Sequence, residues 1–167
     1  SDIFDVCGAS ASADMSKEKV REDTLDFQSP PLAEPAVIVG PIRAVLSVTT
    51  DAEDTDFVVT WYRVTSDGKM YALTSGIQRL RYRTGKDAPV KPGTVVEVEV
   101  DCWATGQRFE KDDRIRVEVS SWGWPGYARN LNTLEPPSTA KKAVVATNRV
   151  HHEGSFLVLP VVGTLKF

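Results

Sequence analysis

Val96-Glu97-Val98-Glu99-Val100-Asp101-Cys102 alternates an apolar residue with an acidic one along its whole length. Period two is the repeat of a β-strand, whose successive side chains point to opposite faces, so this stretch reads as a half-buried strand with a core face and an acidic water face. The same reading applies to Arg114 through Val119, where Ile115, Val117 and Val119 alternate with Arg114, Arg116 and Glu118. Ile42, Ala44, Leu46 and Val48 repeat it once more.

Working outward, Phe57 to Val64 is dense in β-branched and aromatic residues, and Lys69 to Ser75 follows it across Ser66-Asp67-Gly68. A turn with a Gly free to take positive φ joins the two as a hairpin. Further strands are expected over Thr24 to Gln28, Val37 to Val39, Ala143 to Val150, and Ser155 to Pro160, where proline ends the run. Ile77 to Arg83 reads as a strand or an irregular edge. Pro and Gly punctuate the intervals at Pro30-Pro31, Gly40-Pro41, Pro89, Pro92-Gly93, Pro125-Gly126 and Pro136-Pro137. Sustained helical periodicity is almost wholly missing. About eight strands separated by turn signals predict an all-β, two-sheet β-sandwich, with a jelly roll favoured by the strand count. Residues 1–22 are rich in small and charged residues and read as a linker or arm, with a short helix over Ser16 to Arg21; residues 23–167 form the domain.

With 167 residues, 41% hydrophobic and 26% charged, the chain can build one core and is neither disordered nor collagenous. A net charge of -3 without basic clusters predicts no nucleic-acid partner, because neutralising phosphates requires concentrated Lys and Arg. No membrane partner is expected either. The longest apolar stretches, such as Phe156 to Val162, are too short for a bilayer, and Ser1 to Asp5 lacks the regions of a secretory signal. Cys7 and Cys102 read as two free thiols, with a pairing between them left open.

Four carboxylates fall within Asp51-Ala52-Glu53-Asp54-Thr55-Asp56, which raises the question of calcium. The Gly and distal Glu of the known calcium loop are missing, so a solvated turn braced by Asp54 and Asp56 is the preferred reading, and no metal or cofactor is assigned. Ser-Trp-Gly-Trp-Pro-Gly-Tyr places Trp122, Trp124 and Tyr127 on a loop after an alternating strand. Rings so placed cover the open end of a sandwich, anchor a neighbouring domain or stack a sugar. No catalytic residue is assigned. The sequence has no Gly-x-Ser-x-Gly elbow and no phosphate-binding glycine loop, and its two histidines, His151 and His152, are neighbours at an expected strand end.

Beyond these local patterns, an ordered set of segments resembles a known family. Asp23-Thr24-Leu25-Asp26-Phe27-Gln28-Ser29-Pro30-Pro31-Leu32, Val39-Gly40-Pro41-Ile42, the run from Ser47 to Phe57, Asp67-Gly68, and Gly76 to Arg83 carry its first half. Lys91-Pro92-Gly93, Phe109, Arg114 to Ser121, Pro125, Arg129 to Thr133 and Val150-His151-His152 carry the second. They look like the C-terminal domain of the X-Pro dipeptidyl-peptidase, cocaine esterase and α-amino-acid ester hydrolase family of serine hydrolases. The resemblance implies a galactose-binding-domain-like jelly roll that follows an α/β-hydrolase catalytic domain, its partner in the parent chain. The Ser, His and Asp of that family lie in the preceding domain, so none transfers to a residue here. The implied role is non-catalytic: to stabilise the catalytic domain and shape access to its active site, with Trp122, Trp124, Tyr127, Arg129 and Asn130 at the domain interface. The alternative is a stand-alone carbohydrate-binding β-sandwich module built on the same rings.

Overall fold

In the computed structural model of the chain, residues 13–18, 21–136 and 138–167 are described. Eight strands run in order: β1 (Leu25–Gln28), β2 (Ala36–Thr50), β3 (Asp56–Val64), β4 (Met70–Arg79), β5 (Val96–Phe109), β6 (Arg114–Ser120), β7 (Asn148–Val158) and β8 (Val161–Val162). They form two antiparallel sheets, β1-β6-β3-β4 and β5-β2-β7, with β8 also paired to β2. The expected all-β sandwich is thus the observed architecture. Its core lies between the sheets, where Ile42, Ala44, Val48, Val59, Trp61, Val98, Val100 and Phe109 are buried.

The alternating stretches behave as read. Val98, Val100 and Cys102 face the core while Glu97, Glu99 and Asp101 face water, and Ile115, Val117 and Val119 are buried in turn on β6. The β3–β4 turn closes with Val64 opposite Met70 and Gly68 at φ 86°.

Five expectations are corrected. β2 runs straight through Gly40-Pro41, which the sequence reading took as a break. On the side of β7 and β8 the ladder has no pairs between Ile38 and Arg43, and on the β5 side the register shifts there, so the missing proline N–H falls where pairing is interrupted. β5 continues past Cys102 to Phe109 because a bulge inserts one residue at Trp103, whose φ of 63° is fixed by its N–H donating to Asp101 Oδ1 at 2.8 Å. That insertion reverses the face on which buried residues fall, which is why Phe109 is buried out of step with Cys102. Ala143 to Thr147 is unpaired, and strand β7 begins only at Asn148. Ser155 to Val158 then belongs to β7 rather than to a separate strand, because a bulge is plugged by Ser155: its Oγ accepts the Ser47 N–H (2.9 Å) and donates to the His151 carbonyl (2.5 Å). Finally, β4 ends at Arg79 in a 3-10 turn over Leu80–Tyr82, held as Leu80 N–H donates to Thr55 O at 2.9 Å.

The two sheets meet closely along one seam. A Cβ on Gly76 of β4 would lie 2.0 Å from the Asp101 carbonyl oxygen of β5, so only glycine fits. Thr74 Oγ1 donates to Cys102 O at 2.5 Å beside it. Of the expected arm, Met15 packs on Tyr62, Met70 and Ala72 outside the first sheet, and its N–H donates to Met70 O at 2.7 Å. The expected helix over Ser16 to Arg21 lies partly outside the described residues, and Ser16 to Glu18 form a turn and bend.

Candidate functional site

Asp54 just before β3 and Asp56 at its first position are almost fully buried, at 2% and 3% exposure. The turn they brace is therefore not the solvated one expected, because donors from Arg79, Arg81 and Asn130 draw both carboxylates inward. A buried carboxylate is stable only with donors around it. Asp56 Oδ1 accepts from Arg79 Nε and from Asn130 Nδ2, both at 2.8 Å, and Asp56 Oδ2 accepts from Arg79 Nη2 at 3.1 Å. Asp54 Oδ1 accepts the Arg81 backbone N–H at 3.1 Å, and its Oδ2 accepts from Asn130 Nδ2 at 3.2 Å. Burial pushes the Asp54 carboxyl above the ordinary carboxylate value despite these donors, with the nearby Asp56 charge acting in the same direction. Arg79 is raised, chiefly by its bond to Asp56.

The oxygens that calcium would need are therefore already engaged by a guanidinium, an amide and a backbone N–H. Among the described residues no group of three or more His, Cys, Asp or Glu is placed to hold a metal. Asp51, at the other end of the acidic loop, accepts the Thr147 N–H at 2.7 Å, and that bond holds its carboxyl below the ordinary range.

Asn130, half-buried, is a brace. Its amide bridges the two aspartates while its Oδ1 accepts the Asn132 N–H at 2.8 Å, in a turn where Asn132 takes φ 61°. Asn148 secures the far end of the same loop, donating to Thr55 Oγ1 (2.9 Å) and to Ser121 Oγ (2.6 Å). Arg79, Arg81 and Asn148 were not singled out in the sequence. Arg79 and Asn148 lie tens of residues from the carboxylate or hydroxyls they serve, and Arg81 reaches the distant Asp54 only through its backbone N–H while its guanidinium pairs with Asp87, so no local pattern marks them.

The aromatic loop divides into inward and outward members. Tyr127 folds back so that its N–H donates to Gly123 O at 2.7 Å, and its hydroxyl lies 3.5 Å from Ser75 Oγ. Its ring takes the space of a side chain at Gly123, where a Cβ would fall 2.6 Å from Tyr127 Cδ2. Trp122 lies under the Arg21 guanidinium at 4.4 Å, a cation–π contact that occupies its face. Trp124, joined to Pro125 by a cis peptide bond, is 56% exposed, and Arg129 also faces solvent. Trp122 and Tyr127 wall a groove of about 170 Å³ over the outer face of the first sheet, floored by Tyr62 and Glu118. Tyr62 donates its hydroxyl to Glu118 Oε2 at 2.8 Å, and burial raises both groups.

The histidines lie within β7 rather than at its end. His151 Nε2 is 3.2 Å from Thr49 Oγ1, and the His152 ring meets Phe27 edge-on with centroids 5.8 Å apart. Among the described residues neither imidazole bonds a carboxylate, and the Ser155 hydroxyl is spent on backbone groups. Cys102 is a free, buried thiol, pushed up to about 12 by burial; Cys7 lies outside the described residues.

Comparison with known proteins gives a family match over nearly all of the chain. The profile described as the X-Pro dipeptidyl-peptidase C-terminal non-catalytic domain matches residues 5–157. A cocaine esterase from Rhodococcus sp. (strain MB1 Bresler) is 35% identical over 162 residues, which is 93% of this chain and 28% of that protein. An aminopeptidase from a marine sediment archaeon, Thaumarchaeota archaeon, superposes with a TM-score of 0.79 at 28% identity, covering 90% of this chain and 27% of that one. An α-amino acid ester hydrolase superposes with a TM-score of 0.80 at 29% identity, over 85% of this chain and 26% of that one. The chain thus spans little more than a quarter of the length of these relatives.

Proposed function

Because the chain belongs to the family of X-Pro dipeptidyl-peptidase C-terminal non-catalytic domains, we propose that it stabilises a serine hydrolase catalytic domain and shapes access to that domain's active site. One observation carries the reading: the match takes 93% of this chain but only 28% of the cocaine esterase, so the related enzyme holds most of its length in another part. Residues 23–167 are the domain proper in this reading, and the residues before them form the arm that leads to the catalytic part. That part would perform acyl transfer from an ester or an X-Pro peptide through a serine nucleophile and a covalent acyl-enzyme. Trp122, Trp124, Tyr127, Arg129 and Asn130 serve the interface in three ways, Trp122 by walling the groove beneath Arg21. Trp124 and Arg129 face outward to make contact, and Asn130 and Tyr127 hold the loop that carries them. The carbohydrate module is the weaker reading, since Arg21 occupies a face of Trp122 that a sugar would need.

The test compares the longer polypeptide with a version truncated after its catalytic part. Truncation lowers the thermal midpoint and raises KM for p-nitrophenyl acetate or Ala-Pro-p-nitroanilide, while the 167-residue chain alone turns over neither. Unchanged midpoint and kinetics after truncation, or turnover by the chain alone, would overturn the proposal.

A further inference from the structure

The connections β2–β3 (residues 51–55), β4–β5 (80–95) and β6–β7 (121–147) each cross from one sheet to the other, and all leave the sandwich at one end, because the registers set Thr50 opposite Asn148, Val48 opposite Val96, Asp56 opposite Arg79 and Val58 opposite Ser120. These loops are tied to each other and not only to their own strands. Asp54 holds the Arg81 N–H, Arg81 Nη1 donates to Leu134 O at 3.2 Å, Asp51 holds the Thr147 N–H, and Gly93 N–H donates to Thr50 O at 2.8 Å. Ties of this kind order the loops before any partner arrives, which removes an entropic cost from association.

This fixed rim exposes apolar side chains to water. Tyr82, Val95, Trp124, Val144 and Val145 are all exposed, Val145 at 94%. At the opposite end, the connections 29–35, 65–69 and 110–113 expose no large apolar side chain among the described residues, and the exposed Val162 and Phe167 there come from the C-terminal segment that pairs beside Ala33 and Val37. Ala143 to Thr147 adds a further mark, since its composition suits a strand and yet it pairs with none.

The rim also differs in charge from the rest of the chain. Arg83, Lys86, Lys91, Arg129, Lys141 and Lys142 lie on these loops with no ion pair among the described residues, against Asp51, Glu53 and Glu135 as carboxylates in the same condition. The chain as a whole is at -3, so the excess of cations is local.

We propose that this three-loop rim is the face on which the catalytic part of the longer polypeptide docks, and that the matching face is apolar and bordered by carboxylates. The proposal rests on the reading that a catalytic part accompanies this chain. The occupant follows from the length of the relatives outside the match and from the sign of the local charge; the pattern of apolar groups inside a charged border is that of a specific protein interface.

Hydrogen exchange tests it, comparing the 167-residue chain with the longer polypeptide that contains it. Amides within 80–95 and 138–147 are expected to slow at least about tenfold in the longer polypeptide, while those of 65–69 and 110–113 keep their rates. In that polypeptide, Val145→Asp with Trp124→Ala, and separately Lys141→Glu with Lys142→Glu, restore fast exchange to the rim. Both pairs are solvent-facing, so the core amides of β2 and β5 stay protected and report that the fold is kept. Slowing at another surface with an unchanged rim would overturn this proposal and leave the stabilising role standing. No slowing on any surface would remove both.

Discussion

Replacing Gly76 by alanine would set a methyl carbon 2.0 Å from the Asp101 carbonyl oxygen and 2.8 Å from its carbonyl carbon. Both neighbours are backbone of β5, so no side chain can swing aside. Real Cβ contacts essentially never fall below 3.0 Å, so the edges of the two sheets must part by about 1 Å or more. The Thr74 hydroxyl, 2.5 Å from Cys102 O across the same seam, would be drawn to the limit of hydrogen bonding. Overpacking of this kind costs about 1–3 kcal/mol, and a buried hydroxyl left without its acceptor adds about 1–2 kcal/mol. The expected loss is therefore about 2–5 kcal/mol, a large part of the roughly 5–15 kcal/mol that holds a typical domain. Urea unfolding followed by tryptophan fluorescence measures it: with a slope of about 2 kcal/mol/M the midpoint falls by about 1–2.5 M. Gly106→Ala, on β5 with nothing within 4 Å of the new carbon and no positive φ, serves as the control and leaves the midpoint unchanged or slightly higher. A Gly76→Ala midpoint within about 0.2 M of the native one would refute the close-seam argument.

Asn130→Ala removes a donor from two buried carboxylates at once, and a loss of about 1–3 kcal/mol is expected by the same urea assay; a neutral result would mean that Arg79 and the Arg81 N–H suffice. In a Cys7→Ala variant, the Cys102 thiol, buried and pushed up to about 12, should resist a thiol-specific disulfide reagent at pH 8 until denaturant is added, so prompt labelling of folded protein would contradict its burial. Asp67, held by Lys69 Nζ and Thr65 Oγ1 in the β3–β4 turn, should titrate at about 2 by carboxyl NMR. Its folded value lies below the unfolded one, so its help to the turn is complete above about pH 4 and fades as the pH falls through about 2; a midpoint near 4 would show that the turn pairing is not formed in solution.

Strand faces were the most legible feature. Val96 to Cys102 and Arg114 to Val119 could be assigned an inside and an outside from alternation alone, because side-chain direction in a strand is set by the adjacent residues. The β3–β4 hairpin was legible for a related reason, since Asp67-Gly68 supplies the backbone freedom its turn requires. Strand limits were less so. Nothing local announces that β2 passes through Gly40-Pro41, since what tolerates the proline is a gap in the pairing of other strands.

The candidate site was legible by residue, and the partners of each residue were not. Asp54, Asp56 and Asn130 stood out, but whether an Asn faces a neighbouring domain or two buried aspartates depends on what the fold brings beneath it. Trp122, Trp124 and Tyr127 share one loop, and the structure gives them different surroundings: Arg21 lies over one face of Trp122, the Tyr127 hydroxyl meets Ser75, and Trp124 is the most exposed of the three.

By itself, then, the sequence determined the class of fold, the water and core faces of its main strands, and, through the order of its motifs, the family. Those depend on short-range periodicity and on the linear order of residues, both present before folding. The tertiary structure alone decided the Gly76 seam, the anchoring of Asp54 and Asp56 by Arg79 and Asn130, and the gathering of three distant loops into one rim. Each joins residues far apart along the chain, and such contacts exist only once the two sheets have closed on each other.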